Sequence, residues 1–204
     1  MIKRSEIKSI WHNDNILDAR NFIISSQALN IYPSRKIHST YFENINRQMY
    51  LDSIEGLVPR KKIRIRSYEN LLDSSPHFEE KFEIKYTYED FREKKVEPLS
   101  IQTFQNTYHD NIYGLCSKIL KINFIREYYL IGESRITIDY EIKATNVNNS
   151  KISLPINKII IEFKSFNFEA NAELIDNLGL RRNRFSKYTE GINILNIHNE
   201  YPIT

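Results

Sequence analysis

Cysteine is nearly absent from this sequence, which has Cys116 as the one cysteine in 204 residues. A single cysteine excludes an internal disulfide and a zinc site built from several cysteines, and it is a poor candidate for a catalytic thiol. Long apolar runs are missing too, since no segment approaches the ~18 residues that a membrane-spanning helix needs. The first residues run into a charged segment instead of the apolar stretch of a signal peptide. We therefore predict a soluble cytoplasmic protein without a membrane span, and leave a membrane-protein partner open.

A large excess of either charge is also lacking. Lysine and arginine number 29 against 26 aspartate and glutamate residues, so the formal net charge is +3. This balance argues against a general nucleic-acid coat protein, because such proteins bind through a large positive excess. Any strongly positive site must come from local clustering of basic residues, and we expect no sequence-specific nucleic-acid partner.

Glycine and proline are scarce, with 5 and 6 residues, whereas tyrosine and phenylalanine number 13 and 11. Aromatic and β-branched side chains favour the pleated surface of a sheet, so the composition predicts a mainly β protein with some helix. A chain of this length can bury roughly 70% of its unfolded surface in one core. We expect one domain over residues 1–204.

Four short segments alternate aliphatic residues with charged ones: 62–66, 81–85, 135–139 and 158–164. Successive side chains of a strand point to opposite faces, so each segment has one aliphatic face and one face of Arg, Lys and Glu. A single strand of this kind is typical of a sheet with one solvated face. Several strands with the same composition, and with few Ser, Thr or Gln residues between the charges, favour a basic channel that contains carboxylates. Such a channel fits a polyanion bound together with a divalent metal.

The sequence predicts about eight strands. They are residues 4–11, 36–42, 61–68, 78–88, 92–98, 122–130, 135–144 and 157–168. Closing this number of antiparallel strands gives a β-barrel with room for one small ligand. Amphipathic spacing predicts helices at 14–29, 99–120 and 169–178, which can cover the apolar outside of the barrel. We expect 44–59 to be a polar hairpin loop and 181–188 to be a basic tail.

A set of short motifs follows one after another through most of the chain. The motifs are Arg4-Ser5-Glu6-Ile7-Lys8, Ser39-Thr40-Tyr41-Phe42, Arg126-Glu127-Tyr128 and Ser186-Lys187-Tyr188, with the segments 62–68, 82–85, 135–139 and 161–164 between them. In order and spacing the set resembles the VTC domain of the vacuolar transporter chaperone family. The resemblance implies a triphosphate-tunnel fold related to the CYTH enzymes. It also implies the activity of a polyphosphate polymerase.

The resemblance assigns roles to individual residues. The positions that match phosphate-binding residues of the family are Lys8, Arg64, Arg66, Lys85, Arg126, Lys164, Ser186 and Lys187. The subset that we expect to be catalytic is Arg64, Arg66, Lys85, Arg126 and Lys164. Glu162 matches the glutamate that binds a divalent cation, Mn²⁺ or Mg²⁺, and Glu6 and Glu83 are weaker metal candidates. Glu43 stands where the family resemblance leads us to expect aspartate.

These residue types suit phosphoryl transfer, which needs positioning and charge stabilisation more than covalent help from the protein. The implied reaction moves the γ-phosphate of ATP to the end of a polyphosphate chain. A tunnel hydrolase that cleaves triphosphate or nucleoside triphosphate is an alternative, and so is a non-catalytic polyphosphate-binding module. Glu6 and Glu83 can equally pair with neighbouring cations. Asp139 and Arg135 can form an ion pair in the tunnel wall.

Overall fold

The computed structural model describes residues 5–71, 80–89, 92–97, 99 and 106–197. Within these residues ten strands form one antiparallel sheet, and four helices accompany it. The strands are β1 Ser5–Ile10, β2 Leu29–Asn44, β3 Arg60–Asn70, β4 Lys81–Thr87, β5 Arg92–Glu97, β6 Thr107–Asp110, β7 Gly114–Ile131, β8 Ser134–Asn146, β9 Ser153–Ile156 and β10 Ile160–Ser165. The helices are α1 Ile16–Ser25, α2 Gln48–Glu55, α3 Phe168–Asn177 and α4 Lys187–Ile194.

Eight of the strands follow one another across the sheet in the order β1, β10, β8, β7, β2, β3, β4, β5, while β6 pairs with β7 and β9 pairs with β8. The register places Lys8 of β1 opposite Glu162 of β10. It also places Tyr41 of β2 opposite Arg64 of β3. The prediction of a mainly β, antiparallel fold is confirmed.

The sheet curls until its two edges approach each other. In the described part of the chain β1 and β5 are not hydrogen-bonded to one another. Side chains join them instead, because the carboxylate of Glu6 on β1 lies 3.3 Å from Lys85 Nζ of β4 and 3.7 Å from Arg92 of β5. A segment before α4 also lies along β1, where the backbone N–H of Asn183 donates to the carbonyl of Lys8 at 2.7 Å. The curled sheet is thus a tunnel with a concave inner face.

Two helices cover one part of the outer, aliphatic face. Ala19 and Ile23 of α1 and Ile175 of α3 are completely buried there. They belong to one cluster with outward-facing residues of β8 and β10, such as Ile138 and Phe163. Each Å² of apolar surface that these helices and the sheet remove from water stabilises their packing by about 25 cal/mol.

Helix α4 occupies the concave side at one end of the tunnel. Tyr188 and Ile192 of α4 pack in a cluster with Leu120 and Ile122 of β7. The approach is close enough that a Cβ atom on Gly191 would lie 2.7 Å from Cδ1 of Ile122. This end of the tunnel is therefore filled by apolar side chains.

Three predictions of local structure are wrong. Residues 106–120 were expected to be mostly helical, but they form the β6–β7 hairpin, which turns at Asp110 and Gly114. Residues 100–105 of that expected helix, and residue 98 of the expected strand 92–98, lie outside the described residues. The expected loop 44–59 contains α2, and the expected basic tail runs into α4 at Lys187.

The cap of α2 explains why that helix was missed. The side chain of its N-cap residue, Arg47, forms no capping hydrogen bond. The carboxylate of Glu43, at the end of β2, accepts hydrogen bonds from the backbone N–H groups of Met49 and Tyr50 at 3.2 and 2.7 Å. Capping from so far along the chain is not part of the local N-cap signal.

In the described ranges no helix is long and apolar enough to cross a membrane.

Candidate functional site

The concave face of β3 and β4 holds two arginines with different partners. Arg64 donates from Nε and Nη2 to one oxygen of Glu83, at 2.9 and 2.6 Å. Arg66 donates from Nε to the hydroxyl of Ser39 at 2.9 Å, and its guanidinium lies 5.9 Å from the ring centre of Phe124. Among the described residues no carboxylate forms an ion pair with Arg66. Its charge is therefore available to an anion in the tunnel.

The opposite wall, on β7, β8 and β10, carries a network of ion pairs. Arg126 donates from Nε and Nη2 to the two oxygens of Asp139, at 2.5 and 2.6 Å. Its Nη2 also lies 3.3 Å from Glu162. Lys187, at the start of α4, donates to the second oxygen of Asp139 at 2.5 Å. Lys164 pairs with Glu162 at 2.9 Å. The bidentate arginine and the two lysines keep these carboxylates in fixed positions.

Glu6 connects the two walls. Its carboxylate lies 3.3 Å from Lys8 on its own strand and 3.3 Å from Lys85 on β4. On the concave face of β3, Lys62 donates to the hydroxyl of Ser186. These contacts and the alternation along the strands place the residues expected to bind phosphate or metal on the inside of one tunnel. Their roles there stay predictions.

Burial and charge act against each other in this site. Burial raises the pKa of the Asp139 carboxyl, but the charges of Arg126 and Lys187 outweigh it and hold the pKa at about 2. Burial lowers the pKa of Lys164, to about 8, although Glu162 acts in the other direction. Glu162 is also buried, and the cations around it lower its pKa well below the ordinary value. The carboxylates are therefore ionised at neutral pH.

Glu6 and Glu162 together fit a hard divalent cation. Burial and the negative charge of Glu162 act to raise the pKa of Glu6, but the surrounding lysines outweigh both, so this pKa lies below its ordinary value. The described ranges contain no group of three or more His, Cys, Asp or Glu side chains that could hold a metal. Magnesium is commonly bound by one or two carboxylates, with water and substrate phosphates completing its shell. Two adjacent carboxylates match the protein's part of that requirement.

Glu83 has a different environment. One of its oxygens accepts from Arg64, and the other lies 3.1 Å from Lys94 Nζ. Burial raises the pKa of Glu83, and Arg64 and Arg66 outweigh that effect and bring it to about 2. Both oxygens of Glu83 thus pair with cations, as the oxygens of Glu6 and Glu162 also do. A metal-binding role for Glu83 stays a prediction.

Two parts of the site differ from the sequence reasoning. Asp139 pairs with Arg126 and Lys187, not with Arg135, because Arg126 is its neighbour across the β7–β8 ladder. At the end of the tunnel away from α4, the ring of Tyr32 meets the ring of Tyr128 edge to face at 5.8 Å. That pair was missed because β2 was expected to begin at residue 36.

Solved structures of three other proteins share this fold. A "putative adenylate cyclase" from Vibrio parahaemolyticus has a TM-score of 0.58 and 15% identity, and the match covers 94% of this chain and 98% of that one. A "putative adenylate cyclase" from Bacillus halodurans has a TM-score of 0.56 and 13% identity, with 90% and 95% covered. A "putative adenylyl cyclase" from Hippeastrum, described as having a dominant triphosphatase activity, has a TM-score of 0.54 and 12% identity, with 98% of each chain covered. At these identities the likeness defines the fold class alone, a curled antiparallel sheet that forms a tunnel.

The sequence identifies the family within that class. A family model described as the VTC domain matches residues 3–114, more than half of the chain. The chain belongs to the VTC domain family, as the order of its motifs predicted. A comparison with curated proteins found no match.

Proposed function

We propose that this protein is an ATP-dependent and divalent-metal-dependent polyphosphate polymerase. In this reaction a terminal phosphate oxygen of a polyphosphate chain attacks the γ-phosphorus of ATP, and ADP leaves. The observation that carries the proposal is a tunnel with more cations than carboxylates in a chain of the VTC domain family. Phosphates of both substrates are the anions that such a tunnel would bind. ATP as donor fits the cytoplasmic location predicted from the sequence.

The proposed division of work follows from the partners of each side chain. Arg66, which has no carboxylate partner in the described residues, and Arg64 beside it can grip phosphate oxygens with planar, forked donors. Lys85 and Lys8 can contact phosphate from the side where Glu6 lies. Arg126, Lys164, Ser186 and Lys187 complete the contacts from the opposite wall. Together they hold donor and acceptor in line and stabilise charge on the transferring group.

Glu162 and Glu6 would hold Mg²⁺ or Mn²⁺ in this proposal. The cation would neutralise charge on the bound phosphates. Without a cation, two carboxylates in the wall of the tunnel oppose the binding of a polyanion. The neighbouring lysines then fix where the carboxylates point, so that their oxygens face the same space.

A triphosphatase is the second candidate function. The observation in its favour is the Hippeastrum protein, which shares the fold and is described as a triphosphatase. The same cations that would position a polyphosphate end could position water. The two reactions differ only in the acceptor, and their products separate them.

Product analysis after incubation with ATP and Mn²⁺ or Mg²⁺ tests the proposal. Long polymer with ADP is the expected result, whereas orthophosphate without polymer would establish the hydrolase. Tight polyphosphate binding without any ATP turnover would leave a binding module.

The Glu162→Gln variant tests the metal assignment. It keeps the shape of the side chain and removes the charge that a hard cation prefers. We expect it to retain polyphosphate binding and to lose metal-dependent transfer from ATP. Glu173→Gln, on the exposed side of α3, is the matched control and should behave like the wild type. Full polymer synthesis with unchanged metal dependence in Glu162→Gln would place the metal elsewhere.

A further inference from the structure

Lys62 lies in the tunnel but was not among the residues expected to bind phosphate. It shares the concave face of β3 with Arg64 and Arg66, by alternation along the strand. Its ammonium donates to the hydroxyl of Ser186 at 2.8 Å and lies 5.1 Å from the ring centre of Tyr188. Across the ladder it stands opposite Lys85. The ammonium is thus held where β3, β4 and the start of α4 meet.

The other tunnel cations mostly have a carboxylate partner. Lys8 and Lys85 share Glu6, Arg64 has Glu83, Arg126 and Lys187 share Asp139, and Lys164 has Glu162. In the part of the chain that the structure describes, Lys62 and Arg66 have none. Both stand on β3, one on each side of Arg64. Two basic side chains without a carboxylate partner on one strand mark a part of the tunnel where a bound anion would be favoured.

We propose that Lys62 is a further phosphate-binding residue of the tunnel. A phosphate oxygen would take the place of the Ser186 hydroxyl as the acceptor for Lys62, and Ser186 would then be able to donate to the same phosphate. The ligand class is a phosphate group of inorganic polyphosphate or triphosphate. This inference rests on the proposed function, because it requires that the tunnel binds phosphates.

The charges facing Lys62 support this assignment. Burial lowers its pKa, and so do Lys8 from β1, Lys85 from β4, and Arg60 and Arg64 from its own strand. Tyr188 faces it from α4 as an uncharged ring. A bound phosphate would offset this repulsion and raise the pKa of Lys62. Phosphate binding would therefore be accompanied by proton uptake at this residue wherever the free side chain is partly deprotonated.

Calorimetric titration with inorganic triphosphate, without metal or nucleotide, tests the inference. Titrations in two buffers of different ionisation enthalpy give the number of protons taken up. We expect Lys62→Met to weaken binding by about tenfold or more, as the loss of a charge-assisted hydrogen bond of ~1.5–3 kcal/mol predicts. Proton uptake should also fall. Lys62→Arg should keep most of the affinity, because it retains a charge and a donor.

Lys121→Met is the matched control, because Lys121 is exposed and lies on the opposite face of the sheet. It should bind and take up protons as the wild type does. Circular dichroism and thermal unfolding show whether each variant is folded, and Lys62→Gln replaces Lys62→Met if that variant is not. Wild-type affinity and proton uptake in a folded Lys62 variant would overturn the inference and leave the proposed function intact. Failure of the wild type to bind triphosphate would instead overturn the phosphate-binding tunnel itself.

Discussion

Arg64 and Arg66 of β3 differ in what they contribute, Arg64 to the stability of the fold and Arg66 to the proposed binding of phosphate. Arg64 compensates the buried carboxylate of Glu83, which is 1% exposed. Arg66 donates to a neutral hydroxyl, that of Ser39, and its guanidinium lies near Phe124. Removing a partner of a buried charge costs about 3 kcal/mol or more, whereas removing a hydrogen bond between a charged group and a neutral hydroxyl costs about 1.5 kcal/mol. The two residues should therefore respond differently to truncation.

Arg66→Ala should lower the rate of polymer synthesis by about a hundredfold or more, because a charge-assisted phosphate contact is worth ~3 kcal/mol. Its free energy of unfolding should fall by only about 1.5 kcal/mol. Steady-state kinetics and urea unfolding measure the two quantities. Arg64→Ala is the comparison, since it should lose about 3 kcal/mol of stability as well. Normal turnover in folded Arg66→Ala would contradict the role of Arg66.

Asp139 makes a prediction about acid stability. The pKa of its carboxyl is about 2 in the folded protein, against 3.8 for an unperturbed aspartate. The carboxylate of the unfolded chain therefore binds a proton at a higher pH than that of the folded protein. The residue stabilises the fold fully above pH ~4, by about 2 kcal/mol, and loses that contribution as the pH falls through about 2. The stability difference between wild type and Asp139→Asn should therefore shrink by about 2 kcal/mol between pH ~5 and ~2.

Urea unfolding across this pH range measures that difference. Asp176→Asn is the matched control, because Asp176 pairs with Arg182 at the surface and its side chain is 61% exposed. Exposed pairs contribute little, so its difference from wild type should stay nearly constant with pH. A constant difference for Asp139→Asn as well would show that its ion pairs do not set the acid stability.

At the level of elements, helix α4 packs on the concave side of the sheet. Gly191→Ala would place a methyl group 2.7 Å from Cδ1 of Ile122 and 3.1 Å from both Cδ atoms of Leu120. Overpacking of this kind costs about 1–3 kcal/mol, more than the ~1 kcal/mol that alanine adds to helix propensity. We expect Gly191→Ala to lower the free energy of unfolding, measured with urea.

The companion variant for this prediction is Ile122→Val, which removes the Cδ1 atom that the new methyl group would strike. The double variant should be more stable than the sum of the two single effects predicts. Additive effects would mean that α4 moves away from β7 instead of pressing on Ile122.

The strands and the concave cations could be predicted from alternation, because a period of two is a local property of the sequence. Arg64, Arg66, Glu83 and Lys85 fall on the concave face for that reason alone. Helix α2 could not be predicted, since its cap comes from Glu43 at the end of a strand. The partner of Asp139 depended on the β7–β8 register, which no local pattern states. Pairing across the sheet, and with it the lack of a carboxylate partner for Lys62 among the described residues, becomes visible only in three dimensions.

For the whole molecule, the approach of the two sheet edges depends on Glu6. Its contacts with Lys85 and Arg92 join β1 to β4 and β5 across the tunnel. Glu6→Gln should let β5 separate more often, so that its backbone amides exchange with solvent about tenfold faster, as the loss of ~1.5 kcal/mol predicts. Hydrogen exchange without metal measures this, with Glu173→Gln as the control. Unchanged exchange in β5 would mean that other contacts hold the edges together.

The pairing of β1 with β10 also makes the order of folding depend on nearly the whole chain. Ser5 stands opposite Ser165, so the first strand described finds its partner only after the other nine have been synthesised. Contacts so distant in sequence slow folding, typically to milliseconds or seconds. Until β10 arrives, β8 and β1 each present an unpaired edge, which is a site for association with other chains. Once β10 has been synthesised, it pairs with both of these edges and completes the tunnel. The risk of aggregation during synthesis is therefore greatest before β10 is available.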